Sequence, residues 1–248
     1  MTRKQYYKKD KNSFEKSVKP FYHASDTCHI FYSPSKILSS KSQISQLTTK
    51  QVKNTFKFEL LCDDLLKSVK DAENFRFEQK TTAPFPNALK DLSSYIIETN
   101  TLDLFVLHKI SSKIGFTIST YSALKKGAII AEYVGERKHS DVKIADSSYV
   151  FLNNDGTNID AKNYGNVARF FHHCPNDHTD KQVMTANLMS LPWKVSETVT
   201  KIFVITTRDI KPFEPLCWDY NDKFGFDQDV ELLNGETYLP MTELKDEL

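Results

Sequence analysis

Cysteine is scarce in this 248-residue sequence, and Cys28, Cys62, Cys174 and Cys217 stand far apart, with no CxxC pair and no disulfide-framework spacing. That excludes a small scaffold stapled by disulfides, and a reduced compartment is expected. Long apolar runs are also missing. No stretch approaches the roughly 20 residues that cross a bilayer, and no apolar h-region follows the basic start. A protein that makes no use of a membrane is the expectation. Net charge is almost absent, at +1, which argues against a surface that as a whole traps nucleic acid or anionic lipid. No internal repeat is visible.

What is present is enough for a core. Hydrophobic residues make up 40% of the chain and aromatic residues 12%, the composition of a globular protein rather than a disordered one. The length suits one catalytic-sized domain with an extension. Charge is unevenly placed. In residues 1–20, seven basic side chains from Arg3 to Lys19 face only Asp10 and Glu15, whereas from Asp227 onward seven acidic ones face only Lys245. Solvated termini are the ordinary reading of such ends; a basic arm that contacts nucleic acid is the sharper one.

Four regions follow from texture. Residues 1–42, rich in Lys, Ser and Tyr with turn formers Pro20 and Pro34, are expected to be a basic, mobile arm. Residues 43–100 are expected to be a helical accessory segment. There Val52, Phe56 and Leu60, then Leu61, Leu65 and Val69, recur in steps of four and predict one long amphipathic helix between Ser45 and Phe75. Leu89, Leu92 and Ile96 predict a second helix after Pro84 and Pro86. From Leu102 short β-rich runs take over: Leu104 to Leu107, Ala128 to Val134, Tyr149 to Leu152, Val167 to Phe171, Met184 to Leu188 and Ile202 to Thr206. Residues 101–226 are thus expected to be a compact, mainly β domain, with its boundary near Asn100, and 227–248 an acidic tail. The fold class is α+β.

Within the β-rich part, Gly115-Phe116-Thr117 precedes Glu132-Tyr133-Val134-Gly135-Glu136. Then come Ile159-Asp160-Ala161 and the run Gly165-Asn166-Val167-Ala168-Arg169-Phe170-Phe171-His172-His173-Cys174-Pro175-Asn176. Last comes Leu216-Cys217-Trp218-Asp219-Tyr220. In order and interval these segments resemble the motifs of the SET domain family: its Gly-x-Gly turn, its Tyr-x-Gly-Glu strand end, its Gly-Asn-x-x-Arg-Phe-x-Asn-His-Ser-Cys-x-Pro-Asn signature and its closing Asp-Tyr. The resemblance covers roughly Leu107 to Phe226. It implies a mainly β, SET-type (β-clip) catalytic domain that transfers a methyl group from S-adenosylmethionine to a lysine of another protein. Histone tails or nucleosomes are the substrate class it implies.

Such chemistry needs a neutral amine held in line with a sulfonium methyl group, away from water, so alignment and desolvation do the work. A channel of aromatic rings suits it. By the resemblance, Tyr220 is the catalytic tyrosine and Tyr133 shapes the lysine channel with Tyr149, Trp218 and Phe224. An ordinary strand aromatic or core tyrosine remains the alternative at Tyr133, Tyr149 and Tyr220. Trp218 stands where the family has a Phe or Tyr that influences how many methyl groups are added, and its larger ring implies low-order methylation. Cofactor contacts are implied for Gly115, Phe116 and Thr117, whose tight turn lets backbone groups approach, and for Arg169, Phe170, His172 and His173. Adjacent histidines near Cys174 and His178 invite a zinc reading, but strand neighbours point opposite ways, and no metal is expected.

The departures are definite. His172 replaces an asparagine, the Ser and one residue around Cys174 are missing, Thr117 replaces a glycine, and Phe213 and Pro215 interrupt a turn that commonly reads Gly-Glu-Glu. They keep open a catalytically silent SET-like module that binds a peptide or chromatin. No cysteine follows Cys217, so the family's Cys-rich zinc tail is absent from this sequence, and Phe224, Phe226 and Tyr238 are the aromatics available to cover the channel. The unusual motif spelling and acidic tail resemble SET proteins that intracellular bacteria deliver into host cells. The terminal Lys245-Asp246-Glu247-Leu248 spells a lumenal retention address, read only where a signal peptide has delivered a chain. Nucleus or cytoplasm, the host nucleus for a delivered protein, is the expected location.

Overall fold

A computed structural model describes residues 17–18, 29–33, 45–61, 105–111, 115–120, 123–153, 155–196 and 198–220. In chain order its elements are β1 (Ser17–Val18), β2 (His29–Ser33), β3 (Ser45–Thr48), helix α1 (Thr49–Phe56), β4 (Glu59–Leu60), β5 (Phe105–Ser111), β6 (Gly115–Thr120), β7 (Ile129–Glu132) and β8 (Glu136–His139). They continue with β9 (Val150–Leu152), β10 (Thr157–Asp160), β11 (Tyr164–Gly165), a 3-10 turn (Val167–Phe170), β12 (His172–His173), β13 (Leu188–Ser196), β14 (Val199–Thr206) and β15 (Cys217–Trp218). The architecture is mainly β.

The strands form small sheets in the orders β3-β2-β5-β6, β1-β8-β10-β9 and β12-β15-β13-β14-β7, with β11 and β4 as a parallel pair. Short strands cannot bury enough surface singly, so the sheets share one core. Phe105, Leu107, Ile118, Ile130, Phe171 and Val204, all at most 1% exposed, lie in it, and such burial is the main favourable contribution to folding. Three charged pairs enter the interior. Lys201 meets Glu132 at 3.0 Å, Arg137 meets Asp155 at 3.2 Å, and Lys138 binds Asp160. Each partner satisfies a group that would be costly to desolvate alone.

Several expectations change. The long helix predicted from Ser45 is one short helix between two strands. Thr48 and Gln51 form a capping box that starts α1, and Lys57, at φ 60°, ends it in the left-handed conformation. The step-of-four pattern carries on into Leu60 because β4 is buried by pairing with β11, with Glu59 opposite Tyr164 and Leu60 opposite Gly165. The run Val167 to Phe171, expected as a strand, is a 3-10 turn. All four of its residues are buried, so it has no alternation to identify it, and the Asn166 side chain caps it by accepting the Ala168 N–H at 3.2 Å. At Met184 to Leu188 the strand begins only at Leu188.

The N-terminal regions are also woven in. β2, from the expected arm, pairs in parallel with β5, and β1 pairs with β8, so pairing crosses the boundary expected near Asn100. The helical pattern at Leu89 to Ile96, the acidic tail, and Phe224, Phe226 and Tyr238 lie outside the described residues.

Candidate active site

The site grows from the end of β7. Its strand runs antiparallel to β14, with Glu132 opposite Phe203, and the Tyr133 N–H extends the pairing by donating to Ile202 O at 2.7 Å. Tyr133 is thereby delivered into the interior, where its hydroxyl donates to Tyr149 O at 2.8 Å. Burial pushes its phenol pKa well above the ordinary tyrosine range.

Parallel pairing of β15 with β12 sets Cys217 opposite His172 and Trp218 opposite His173. Trp218 then meets Tyr133 and Phe151, and the three rings stand 5.7 Å apart from one another, centroid to centroid. Phe171 closes the group edge-on to Trp218 at 6.0 Å. Tilted and edge contacts of this kind are the favoured geometry of aromatic pairs. The next side chain, Tyr220, folds back on the same segment. Its N–H donates to His173 Nδ1 at 3.2 Å, its ring lies 5.1 Å from that imidazole, and its hydroxyl donates to Phe171 O at 2.9 Å. The residue as a whole is 45% exposed, yet its phenolic end points inward, and desolvation raises its pKa above the ordinary value.

The signature run is legible as a set of ties. Asn166 Nδ2 donates to Glu132 O at 2.7 Å and holds the run to β7. His173 holds Tyr220, and the Asn176 N–H donates to Asp219 Oδ2 at 3.1 Å. One further tie comes from Asn187, fully buried, which sequence reasoning missed. Its Oδ1 accepts the Cys217 N–H at 3.0 Å and its Nδ2 donates to Pro215 O at 2.8 Å. Asn187→Ala would leave both backbone groups unpaired beside Trp218, and a loss of roughly 2–4 kcal/mol is expected, read as a lower urea midpoint with unchanged m-value.

A second group adjoins the first through Tyr149. The Arg169 guanidinium carbon lies 3.9 Å from the ring centroids of both Tyr149 and Phe58. Desolvation lowers its pKa, countered by the neighbouring tyrosines. Phe170 packs edge-on to Phe58 at 5.6 Å and to Phe56 at 5.9 Å, and Phe56 is edge-on to Phe116 at 4.9 Å. Phe116 thus joins Arg169 and Phe170, while Gly115, at φ 83°, opens the strand that carries Phe116 and Thr117. His172 is half-buried, and its N–H donates to Leu216 O at 3.2 Å. Phe151 was also missed; it lies in the middle of β9, two residues after Tyr149 in the turn that leads into that strand.

Three buried donor atoms here have no hydrogen-bond partner: Arg169 Nε, Arg169 Nη1 and Thr117 Oγ1. Buried polar groups are ordinarily paired, so these mark places where a ligand's acceptors fit. Among the described residues no group of three or more His, Cys, Asp and Glu is placed to hold a metal ion. Cys174 and Cys217 are buried free thiols, and the Cys217 thiol together with burial pushes the Cys174 thiol up.

In this β-rich fold the strand within the 166–176 segment pairs with the strand leading into Tyr220. Residues 115–221 match the model of the SET domain, and the chain carries a SET domain over that span. Known relatives are similar over the same part. The chain is 27% identical over 126 residues to the cattle (Bos taurus) histone-lysine N-methyltransferase SETMAR, covering 44% of this chain and 38% of that protein. It is 34% identical over 118 residues to the human histone-lysine N-methyltransferase EHMT1, covering 44% and 8%. It is 32% identical over 131 residues to the "Probable inactive histone-lysine N-methyltransferase SUVR1" of Arabidopsis thaliana, covering 45% and 17%. The chain thus spans less than two fifths of the length of each of these relatives.

Proposed function

We propose that the chain is an S-adenosylmethionine-dependent protein-lysine N-methyltransferase whose substrate class is the histone tail, alone or in a nucleosome. The single observation that carries this reading is the placement of Tyr220 within the SET span, its ring edge-on to Trp218 at 6.5 Å and its hydroxyl turned inward to Phe171 O. The matched relatives named histone-lysine N-methyltransferases support the substrate class.

The residues suit the cofactor. Partnerless donors at Arg169 and Thr117 match a ligand with a carboxylate and hydroxyls, and the faces of Tyr133 and Trp218 suit a sulfonium cation. When bound, S-adenosylmethionine supplies an electrophilic methyl group. A neutral lysine nitrogen would take that methyl group with its lone pair, leaving S-adenosylhomocysteine, and the resulting ammonium would give up its proton to solvent.

The chain's own residues prepare this step. Tyr220 and Tyr133 both commit their hydroxyl protons to backbone carbonyls. Their oxygens therefore face any bound group as acceptors, suited to an amine N–H and a positively polarised methyl. Surrounding rings lower the local dielectric, which favours the neutral, nucleophilic amine over the ammonium. Tyr149 and Trp218 wall the channel in this proposal. Gly115, Phe116, Thr117, Arg169, Phe170, His172 and His173 hold the cofactor. Trp218 fills the space in which a more heavily methylated product would turn, so low-order methylation is expected. Action in the nucleus or cytoplasm, a nucleic-acid contact through the basic residues 1–20, and delivery into a host cell belong to the same proposal.

The second reading is a silent SET-like module. It is favoured by His172 in place of asparagine and by the likeness to a relative named as inactive. Incubating purified protein with methyl-labelled S-adenosylmethionine and recombinant histones or nucleosomes separates the two. Label on a histone lysine supports the enzyme. Cofactor binding without label on histones moves the substrate to another protein, and absence of both transfer and binding favours the module.

A further inference from the structure

The SET span begins at residue 115, yet one of the two rings that enclose Arg169 belongs to Phe58. Phe58 sits between α1 and β4, and its position is closely fixed. The left-handed Lys57 turn precedes it, with the Lys57 N–H donating to Lys53 O at 3.0 Å. On the other side Glu59 N donates to Asn163 O at 2.8 Å and Leu61 N to Gly165 O at 2.9 Å. Phe58 itself is 2% exposed. Segment 57–61 is thus stitched to residues 163–165, only a few residues before Arg169.

Arg169 is 7% exposed, and its guanidinium carbon is 3.9 Å from the ring centroid of Phe58 on one side and of Tyr149 on the other. A guanidinium covered on both faces by rings is open only at its edge, where its N–H groups lie in the plane. Two edge atoms, Nε and Nη1, are buried without a partner. A buried cation with free donors is poorly stabilised until an acceptor arrives. Nε–H and the Nη1 N–H groups point in different directions within that plane, so each is a separate donor position, and the acceptor that best complements a buried cation there is an anion such as a carboxylate.

We infer that Phe58, from outside the SET span, is a positioning residue that holds the Arg169 guanidinium edge-on to receive the carboxylate of the cofactor's amino-acid end. This rests on the cofactor reading given above. The segment that supplies Phe58 also supplies Phe56, which packs on Phe116 and Phe170, so residues 45–61 complete the binding site.

The test measures S-adenosylhomocysteine binding by calorimetry for the full chain, Phe58→Leu, Phe58→Tyr, Arg169→Met and the double variant Phe58→Leu/Arg169→Met, with the thermal midpoint of each recorded. Phe58→Leu keeps an apolar side chain but removes the ring face, and it is expected to weaken binding at least about tenfold, the scale of a desolvated cation–π contact. Phe58→Tyr restores the face and is expected to bind within about twofold of wild type, by the same contact. In the Arg169→Met background Phe58→Leu is expected to add nothing, because its effect runs through Arg169. Should Phe58→Leu not fold, Phe58→Met is judged by the same criteria.

Unchanged binding by Phe58→Leu, or an equal loss with and without Arg169, overturns the inference while leaving the cofactor reading intact. No S-adenosylhomocysteine binding by the wild-type chain overturns both.

Discussion

Replacing Tyr220 by phenylalanine is expected to lower methyl transfer roughly 10²–10³-fold, the cost of removing one preorganised polar contact at a reacting centre. The change removes a single oxygen. In the folded chain that oxygen donates to Phe171 O at 2.9 Å, while the ring's position is separately fixed by the Tyr220 N–H bond to His173 Nδ1. The phenylalanine ring should therefore stay in place, and stability should fall by only about 0.5–1.5 kcal/mol for the lost hydrogen bond. Single-turnover transfer from labelled S-adenosylmethionine and a urea titration together give the two numbers. Transfer within threefold of wild type would remove Tyr220 from the reaction.

The same residue makes a statement about pH. Desolvation holds the folded-state pKa of Tyr220 above its ordinary value of 10.0, so the phenol stays neutral where an exposed tyrosine ionises. The unfolded chain then releases this proton first as pH rises, and the stability associated with the buried phenol is present below about pH 10 and declines above it. Tyr133 acts in the same direction. An alkaline fall in wild-type transfer centred below pH 10 would accordingly come from another group.

Gly135→Ala is expected to destabilise the chain by about 3 kcal/mol, which for a domain of this size lowers the thermal midpoint by about 6–12 °C. A Cβ at Gly135 would stand 2.5 Å from Asp160 O, 2.6 Å from Asp160 C and 2.8 Å from Ala161 N. All three are backbone atoms, two of them from Asp160, which lies opposite Glu136 in the β10–β8 ladder, and the third from the residue after it. Relief requires the strands to part, and the disturbance reaches the site directly, because the Ala161 N–H donates to Tyr149 O at 2.9 Å. Gly115 is the control. It has open space where a Cβ would go but a φ of 83°, so Gly115→Ala tests backbone conformation alone and should cost about 1 kcal/mol. Calorimetric scans of the two variants separate close approach from backbone strain. Equal, small shifts would contradict the close-approach account.

Much of this was written in the order of the residues. The motifs from Gly115 to Tyr220 indicated a SET domain because they are local strings whose identity survives without knowledge of contacts, and the SET span at residues 115–221 bears that out. The β-rich texture after Leu102 was legible for a related reason: alternating apolar residues report a sheet face without naming the partner strand. Where the pattern failed, tertiary burial had erased the signal. Val167 to Phe170 is buried on every side, and a residue string buried all round carries no period. Leu60 continues a helical spacing although the Lys57 turn has already ended the helix.

What the sequence by itself determined is the family of the domain and the types of side chain at its site: the tyrosines, the tryptophan, the buried arginine and the paired histidines. What only tertiary structure decided is how they are held. The three-ring contact of Tyr133, Phe151 and Trp218 joins β7, β9 and β15; the Asn187 tie joins residues 30 apart to the strand that carries Trp218. The enclosure of Arg169 brings Phe58 across more than a hundred positions. The physical reason is the same in each case. A side chain's type fixes which interactions it is able to make, but the partner is chosen by strand pairing and burial, which act between residues whose separation along the chain leaves no mark in the sequence.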